Sequence, residues 1–383
     1  MRDPFQSLKI LIAPNAFKES LSSPEVAEHL RKGLAKVIPP DNLIVLPVAD
    51  GGDGSLQVLE KVLGLRIEHM DTTDPLHRPV NASIGYSEDN QGYIEMAIAS
   101  GLHLLDDGEK SAAFADSYGT GLLVKKAIEN SVRSINLFVG GTASMDGGTG
   151  ILRALGFRFL DKNANEVPPG GINLGEITDH EIPEPEYYER IRNISINIFC
   201  DVDNPLTGPR GSVEVFGPQK DAGTTDMDHL EKAFEKYADF LARVCNKDIS
   251  MLPGGGAAGG VPAGLAAFLD VKIYPGAEKI LEHCGFDSLL DRVDCVITGE
   301  GKLDDQSFDG KAPVIVSQKA REKGKKVIFV GGNIPSQQES FANDYFDAIF
   351  SIVPGPSTLA ESMKNAAQWL ERTGFQIAKI LSF

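Results

Sequence analysis

The chain is poor in the residues that mark disulfide-rich, zinc-binding or nucleic-acid-binding proteins. Its four cysteines among 383 residues lie far apart and show no C-x-x-C spacing, which predicts buried free thiols in a reducing compartment. Positive charge is also scarce, because 37 lysine and arginine residues face 54 aspartate and glutamate residues, and the formal net charge is −17. This balance argues against nucleic acid and anionic membranes as partners, since both require clusters of positive charge.

Long apolar runs are absent as well. No uncharged apolar stretch is long enough to span a bilayer, and no basic segment followed by an apolar one opens the chain. We therefore expect a cytoplasmic protein. A length of 383 residues and a hydrophobic content of 42% predict a globular chain of two domains. The sequence leaves the oligomeric state open.

The chain also lacks three motifs that would identify a common enzyme class. It contains no G-x-x-x-x-G-K-[ST] loop, no G-x-G-x-x-G after a predicted strand and no G-x-S-x-G. A P-loop enzyme, an ordinary dinucleotide-binding domain and a hydrolase with a serine elbow are therefore not supported. The seven histidines are isolated and have no metal-ligand spacing, and only His77 lies in a loop that suggests contact with a ligand.

The chain does contain charged, glycine-rich loops that follow apolar runs. The run Val293 to Ile297 predicts a buried parallel strand that ends at Gly299, Glu300 and Gly301. The loop beyond it, as far as Pro313, holds lysines and further acids. In open α/β sheets ligands bind outside the carboxyl ends of strands, so this loop is well placed to bind a phosphate or a metal. The alternative is a solvated, turn-rich loop.

Two loops near the start of the chain repeat this arrangement. Leu8 to Ala13 predicts a strand, which is followed by Lys18 and by a helix capped at Ser22 or Ser23. Leu43 to Val48 predicts a second strand, which runs into the sequence A-D-G-G-D-G-S. Its glycines allow positive φ and inward-turned amides, and the following helix adds its positive end, so this loop suits a phosphate.

The middle of the chain, from about Leu65 to Val271, has short strands, long loops and many glycines. A strand is predicted over Ile194 to Cys200, and the prolines and glycines after it predict an ordered loop without regular structure as far as Lys220. The run Gly254 to Gly260 is either a linker or a helix start packed tightly against a ligand. Its composition favours the linker.

These patterns predict an α/β fold with two domains. Residues 1–70 and 272–383 share a doubly wound βα pattern, and residues 71–271 form a second α/β domain inserted between them. We expect the active site in the cleft between the two domains. The recurring carboxylates, lysines and glycines are the set that phosphoryl transfer requires: a metal held by acids, cations and amides facing phosphates, and a base for the attacking hydroxyl.

Eight segments of the chain resemble the type I glycerate kinase family, in the same order and over nearly the whole length. They read A-P-N-A-F-K-E-S-L, P-V-A-D-G-G-D-G-S, S-Y-G-T-G, G-G-T-A-S-M-D-G-G, C-D-V-D-N-P-L-T-G-P-R-G, F-G-P-Q-K, G-G-G-A-A-G-G and V-I-T-G-E-G-K-L-D-D-Q-S-F-D-G-K-A-P.

The resemblance implies ATP-dependent phosphorylation of glycerate, most often at the 2-hydroxyl to give 2-phosphoglycerate. It also implies a flavodoxin-like domain that carries an inserted second α/β domain. The alternatives are a kinase for a related small sugar acid, a glycerate 3-kinase, and a non-catalytic protein that binds a hydroxy acid without a nucleotide. Acids beside glycine loops count against a mere carboxylate receptor, which would carry mainly cations.

The first segment departs from the family. Asn15 and Ala16 stand where the family often has an acid and a serine, so a metal-binding or proton-accepting role for that acid does not carry over. Lys302 replaces an arginine, and Ser307 replaces a threonine. Both of these changes conserve the chemistry.

Under the kinase hypothesis, we assign roles to individual residues as follows. Asp50 accepts the hydroxyl proton, and Lys18 or Lys311 neutralises charge on the transferred group. Glu300 and Asp304 bind Mg²⁺ with the phosphates of ATP. The nucleotide-binding glycines are Gly51, Gly52, Gly54, Gly299 and Gly301, and the substrate-binding residues are Arg210, Lys220, Asp203 and Asn204. The alternative for Arg210 and Lys220 is a surface ion pair.

Overall fold

The structure, a computed structural model, describes residues 8–221, 226–303, 310–334 and 344–382. By its internal contacts the chain divides into two compact units. Unit 1 comprises Met1–Asp50, Gln57–Leu63 and Ala277–Phe383, and unit 2 comprises Gly51–Leu56 and Gly64–Gly276. In the described part of the chain, no helix combines the length and the apolar character that crossing a membrane requires.

The strands of the described residues are mostly short. In chain order they are β1 (Ile10–Ile12), β2 (Leu43–Val45), β3 (Arg66–Thr73), β4 (Pro79–Tyr86), β5 (Gln91–Glu95), β6 (Ser134–Phe138), β7 (Arg158–Leu160), β8 (Asp179–Glu181), β9 (Ser195–Phe199), β10 (Val271–Tyr274), β11 (Cys295–Lys302), β12 (Lys326–Asn333) and β13 (Ala348–Ser351).

The α-helices alternate with these strands along much of the chain. They are α1 (Ser23–Leu34), α2 (Ser55–Leu63), α3 (Ala97–Ser100), α4 (Tyr118–Glu129), α5 (Thr149–Ala154), α6 (Pro185–Arg192), α7 (Ser212–Lys220), α8 (Met227–Cys245), α9 (Ala257–Ala266), α10 (Gly276–His283), α11 (Phe286–Leu290), α12 (Ala312–Glu322) and α13 (Leu359–Leu381).

Unit 1 contains a five-stranded sheet in the order β13-β12-β11-β1-β2, and all of its strands are parallel. Numbered along the unit, this is the 2-1-3-4-5 order of flavodoxin-like folds. The α/β class with parallel sheets is therefore confirmed. The strand order reverses between β1 and β11, and in such folds that point is where ligands bind.

Both faces of this sheet are buried, which explains the continuous apolar runs in its strands. Along β1, Leu11 packs into one hydrophobic cluster, whereas Ile10 and Ile12 pack into another. Helices α10, α11 and α12 cover the first face, and α1 and α13 cover the second. As predicted, α1 begins after Ser22, which forms a capping box with Glu25.

The predicted end of β11 is wrong, because the strand continues through the glycines to Lys302. It pairs with β12 along this extension, where Glu300 lies opposite Gly331. A Cβ atom at Gly299 would lie 1.9 Å from the carbonyl oxygen of Val330. This glycine therefore permits the close approach of the neighbouring strand.

Unit 2 contains a six-stranded mixed sheet in the order β10-β9-β6-β5-β4-β3. Strands β10, β9, β6 and β5 are parallel, β4 pairs with β5 in antiparallel orientation, and β3 pairs with β4 in antiparallel orientation. The alternating isoleucines predicted a strand, and in β9 the side chains of Ile196 and Ile198 are buried in the core of the unit. All four cysteines of the chain are free thiols, and Cys200 and Cys295 are buried as predicted, whereas Cys245 and Cys284 are only partly buried.

The loop predicted before Lys220 is partly wrong, because Ser212–Lys220 forms α7 with Pro218 inside it. The helix buries Ser212, Val213, Gly217 and Lys220, a spacing that fits one face of a helix. Pro218 lies in the last turn, where it removes a single backbone hydrogen bond. The burial of this face therefore stabilises a helix despite the glycine and proline content that predicted a loop.

The linker interpretation of Gly254 to Gly260 is also wrong. Helix α9 begins at Ala257, and Ala258, Gly259 and Gly260 all have positive φ angles of 49°, 71° and 89°. A Cβ atom at Gly259 would lie 2.2 Å from the carbonyl oxygen of Ser144. The glycines are therefore required by close packing against the protein's own backbone.

Candidate active site

A cleft of about 870 Å³ opens at the carboxyl ends of the strands of unit 1, and every residue that lines it belongs to that unit. The loops after β1, β2, β11, β12 and β13 contribute to it, together with the first turns of α13. The cleft thus includes the point between β1 and β11 where the strand order reverses.

The cleft brings together five residues predicted as site residues from three separate parts of the sequence. They are Lys18, Asp50, Glu300, Gly301 and Lys311. Asp304, the second predicted metal ligand, lies outside the described residues. Lys302 also lines the cleft; it was not assigned a role from the sequence, although its position between Gly301 and the acids of the same loop could have indicated one.

Backbone hydrogen bonds hold these loops next to one another. The amide of Ala13 donates to the carbonyl of Ile297 at 2.7 Å, and that of Asn15 donates to Gly299 at 2.8 Å, so the loop after β1 follows the extension of β11. On the other side of β1, the amide of Val48 donates to Pro14 at 3.0 Å. The loops that carry Lys18, Asp50 and Glu300 therefore meet at one edge of the sheet.

Asn15 orients the carboxylate of Asp50. Its Nδ2 donates to Asp50 Oδ2 at 3.3 Å, while its Oδ1 accepts from the amide of Ala16 at 2.8 Å. Asn15 is 7% exposed. Because both ends of its side-chain amide are engaged, the group is fixed with its donor toward Asp50. This residue was discounted from the sequence because it is not an acid.

Glu300 supplies a second carboxylate to the cleft. It is 6% exposed and lies on the extension of β11 between two glycines. Within the described residues, no group of three or more histidine, cysteine, aspartate and glutamate side chains is arranged to hold a metal ion. Mg²⁺ usually binds proteins through one or two carboxylates and takes its other ligands from phosphates and water. The single buried carboxylate of Glu300 meets that requirement.

The side of the cleft toward β13 is apolar. Ile352 and Val353 follow β13, and Leu359, Met363 and Ala366 come from α13. On the helix these three residues are spaced by four and three positions, so they share one face. We call these five residues the apolar wall. A capping box between Thr358 and Glu361 fixes the start of α13 and thereby the position of Leu359.

The glycines after Asp50 adopt the backbone predicted for them, and their amides bind within the protein. Gly51 and Gly54 have φ angles of 83° and 84°. However, the amides of Gly54 and Leu56 donate to the two carboxylate oxygens of Glu95 at 2.9 and 3.0 Å. A carboxylate of unit 2 thus occupies the start of α2, where we predicted a phosphate.

Three of the predicted substrate-binding residues lie together on the surface of unit 2. Arg210 Nη2 donates to Asp203 Oδ1 at 2.6 Å, and Asn204 Nδ2 donates to the carbonyl of Arg210 at 2.8 Å. The side chains of Arg210 and Asp203 are 68% and 72% exposed. Arg210 thus forms a surface ion pair with Asp203, which was the alternative to substrate binding in the sequence analysis.

Lys220 is buried in unit 2, where it holds the loop after β6. Its Nζ donates to Thr142 Oγ1 at 3.2 Å and to the carbonyl of Ser144 at 2.9 Å. Burial lowers the pKa of the ammonium group to about 7, and the charge of Asp146 opposes this change. Neither Lys220 nor Arg210 is among the residues that line the cleft of unit 1.

His77 contacts a carboxylate of its own unit. Its Nε2 lies 2.9 Å from Asp116 Oδ2, and Asp116 is buried whereas the imidazole is half exposed. This hydrogen bond raises the pKa of the His77 imidazole. His77 does not line the cleft of unit 1.

The low pKa of Lys220 predicts a pH-dependent stability. Between the folded-state pKa of about 7 and the usual value of 10.5, the unfolded state binds more protons, so the free energy of unfolding rises with pH across this window. We expect the free energy of unfolding of the original protein, measured by urea unfolding, to rise between about pH 7.5 and about pH 9.5. The rise should exceed that of the Lys220→Met variant by about 2 kcal/mol. Lys232→Met, at an exposed position of α8, is the control and should show no such difference. Parallel pH curves for the original protein and Lys220→Met would contradict the assignment.

The sequence is similar to known proteins over nearly its whole length. Residues 10–382 match the model of the glycerate kinase family. The chain is 38% identical over 372 residues to a glycerate kinase of Bacillus subtilis (strain 168), with 97% of each chain covered. It is 36% identical over 376 residues to the glycerate 2-kinase of Escherichia coli (strain K12), with 98% of each covered. The fold is similar to that of a crystal structure from Salmonella typhimurium LT2, a protein provisionally assigned as glycerate kinase 2. The two chains superpose with a TM-score of 0.83 and are 36% identical, and the superposition covers 98% of each chain.

Proposed function

Since this chain belongs to the glycerate kinase family, we propose that it transfers the γ-phosphoryl group of ATP, with Mg²⁺, to the 2-hydroxyl of glycerate. Membership of the family makes the chain a phosphotransferase that acts on an alcohol group. The nucleotide, the metal and the position of the product phosphate are the parts that we propose. The similarity to a glycerate 2-kinase supports the choice of the 2-hydroxyl.

One observation carries the proposal: a cleft in unit 1 gathers three carboxylates and three lysines at the carboxyl ends of parallel strands. Phosphoryl transfer needs little covalent chemistry from a protein, and its rate depends on positioning the reactants and neutralising charge. Lysines that face a phosphate chain, together with carboxylates that hold a metal or a proton, supply both functions.

Asp50 would accept the proton of the attacking hydroxyl. It is partly buried and lines the cleft, and the amide of Asn15 holds one of its oxygens in place. A carboxylate held in this way presents its other oxygen in a defined direction, which a base requires in order to meet a hydroxyl at hydrogen-bond distance.

The three lysines would neutralise the phosphate chain. Lys18 and Lys302 are exposed, and Lys311 immediately precedes α12, so the three lysines are supplied by different parts of unit 1. Lys18 and Lys311 remain our choice for the group being transferred, and Lys302 adds a third cation. As compact point charges on flexible stems, lysines can follow a phosphate as charge moves from one oxygen to another.

Glu300 would hold Mg²⁺, with Asp304 as the second proposed ligand. When bound, the ion would neutralise charge on the phosphate oxygens. The carboxylate of Glu300 sits on β11 and not on a free loop, so its backbone position is set by the sheet. Arg210 remains our proposal for the glycerate carboxylate, which would replace Asp203 as its partner.

The test is release of ADP from ATP over a panel of small hydroxy acids, with and without Mg²⁺, and the position of the product phosphate read by NMR. We expect release that depends on both glycerate and Mg²⁺, and 2-phosphoglycerate as the product. 3-Phosphoglycerate, or faster turnover of a related sugar acid, would replace the substrate assignment and retain the kinase. Binding of glycerate without ADP release from any acid would overturn the kinase proposal.

A further inference from the structure

We propose that the cleft accepts nucleoside triphosphates as a class. The apolar wall would pack against the face of the base without forming hydrogen bonds to the polar groups at its edge. The inference rests on the proposed function, since it assumes that the cleft binds the phosphoryl donor. It concerns a different property, namely which donors the site can distinguish.

The two kinds of surface in the cleft come from different elements of unit 1. The lysines and carboxylates follow β1 or β2, lie at the end of β11 or precede α12, whereas the apolar wall follows the edge strand β13 and belongs to α13. The two surfaces meet where Ser20, in the loop of Lys18, donates to the carbonyl of Met363. A triphosphate placed along the lysines therefore directs its nucleoside toward the apolar wall. Leu359 is 75% exposed, and a flat base lying against it would cover this side chain.

The hydroxyl groups near the wall form hydrogen bonds within the protein. The described residues that line the cleft include four serines. Ser20 donates to the carbonyl of Met363 at 2.9 Å, and Ser351 donates to that of Gly332 at 3.4 Å. Ser362 donates to the carbonyl of Thr358 at 3.0 Å, which leaves Ser357 as the donor in its 3.0 Å bond with Ser362.

Two backbone amides next to the wall are engaged as well. The amide of Ile352 donates to the carbonyl of Gly331 at 2.9 Å, and that of Val353 donates to Ser351 Oγ at 3.2 Å. Asn333 also lines the cleft, but it pairs in register with Lys302 at the end of β12.

This distribution of polar groups sets the expected selectivity. A site that hydrogen-bonds a substrate group rejects an analogue without that group by about 10⁴ to 10⁵-fold, whereas an apolar surface discriminates by about 10 to 200-fold. Adenine, guanine, cytosine and uracil all present flat apolar faces. We therefore expect kcat/KM for ATP, GTP, CTP and UTP, measured with saturating acceptor, to lie within about 10² of one another.

The experiment compares the four triphosphates in the original protein and in Leu359→Gln. Removing this apolar contact should raise the KM for every triphosphate by a common factor of about 3 to 10, with the KM for the acceptor unchanged. Ile380→Gln is the matched control, because Ile380 is an exposed apolar residue of the same helix, 56% exposed, that does not line the cleft.

Selectivity above about 10² between any two triphosphates overturns the proposal, as does a Leu359→Gln variant whose triphosphate KM is unchanged. Calorimetric titration with ADP, GDP, CDP and UDP provides a readout that does not need turnover. If no hydroxy acid is phosphorylated by any triphosphate, the kinase proposal fails, and similar affinities for the four diphosphates still support the base selectivity. Tight binding of ADP alone overturns the selectivity and leaves the kinase proposal intact.

Discussion

In the Asp50→Asn variant we expect kcat to fall by about 10² to 10⁴-fold, because loss of a general base commonly costs that much. The amide cannot accept the hydroxyl proton, yet it has nearly the same size and shape as the carboxylate. Its oxygen can still accept the hydrogen bond from Asn15. The variant should therefore fold, bind nucleotide and fail in the transfer step, which steady-state kinetics and urea unfolding measure separately.

Asp41→Asn is the matched control, since Asp41 is an exposed acid of the same unit that precedes β2, whereas Asp50 follows it. It makes the same change of charge outside the cleft, and its kcat should stay within about twofold of the original, as surface changes rarely perturb a protein. A folded Asp50→Asn protein with normal turnover would remove Asp50 from the mechanism.

The second large effect is expected for Glu300→Gln. If Glu300 holds Mg²⁺, loss of its charge should raise the Mg²⁺ concentration required for half-maximal activity and lower kcat by about 10²-fold or more, because the metal neutralises charge in the transition state. Titrating Mg²⁺ at saturating ATP separates the two effects, since a purely structural defect would lower the rate without changing the metal dependence.

Glu19 provides the comparison for this variant. It lines the same cleft and is exposed, so Glu19→Gln removes one negative charge from the cleft without removing the buried carboxylate. We expect its Mg²⁺ dependence to match that of the original protein. Equal shifts in both variants would show that the general charge of the cleft, and not a ligand at Glu300, controls metal binding.

Much of unit 1 was predictable because its sequence signals are local. The run before Pro14 gave β1, and Ser22 with Glu25 marked the start of α1. Strands buried on both faces read as continuous apolar runs, which distinguishes a parallel sheet from an antiparallel one. The clustering of acids and glycines after several strands also indicated the edge of the sheet at which the cleft opens, since carboxyl ends of parallel strands share one edge.

The errors concern residues whose role depends on distant partners. Gly299 looked like the end of a strand, but the reason for a glycine there is the carbonyl of Val330 on the adjacent strand. Gly259 looked like part of a linker, and it packs against Ser144. A sequence shows that a glycine is present, and only the fold shows whether a ligand, a turn or a neighbouring backbone requires it.

The candidate site was predictable in part for the same reason. Lys18, Asp50 and Glu300 were found because acids and lysines after strands are conspicuous. Asn15 was discounted, since nothing local indicates that its amide faces a carboxylate 35 positions away. Lys220 was assigned to substrate binding, with a surface ion pair as the alternative. Its burial follows from the position of α7, a helix that the proline and glycine content of the segment did not indicate.

The pairing of β1 with β11 has a consequence for the synthesis of the chain. Ile10 pairs with Cys295, which is 285 residues later in the chain. At a translation rate of about 5 to 20 residues per second, β11 is therefore synthesised roughly 15 to 60 s after β1. The long segment of unit 2, Gly64–Gly276, is complete before β11 is translated. Throughout this interval one edge of β1 has no strand of its own sheet beside it. An apolar strand with an open edge is prone to pair with other chains, and so the first strand to leave the ribosome is among the last to be protected.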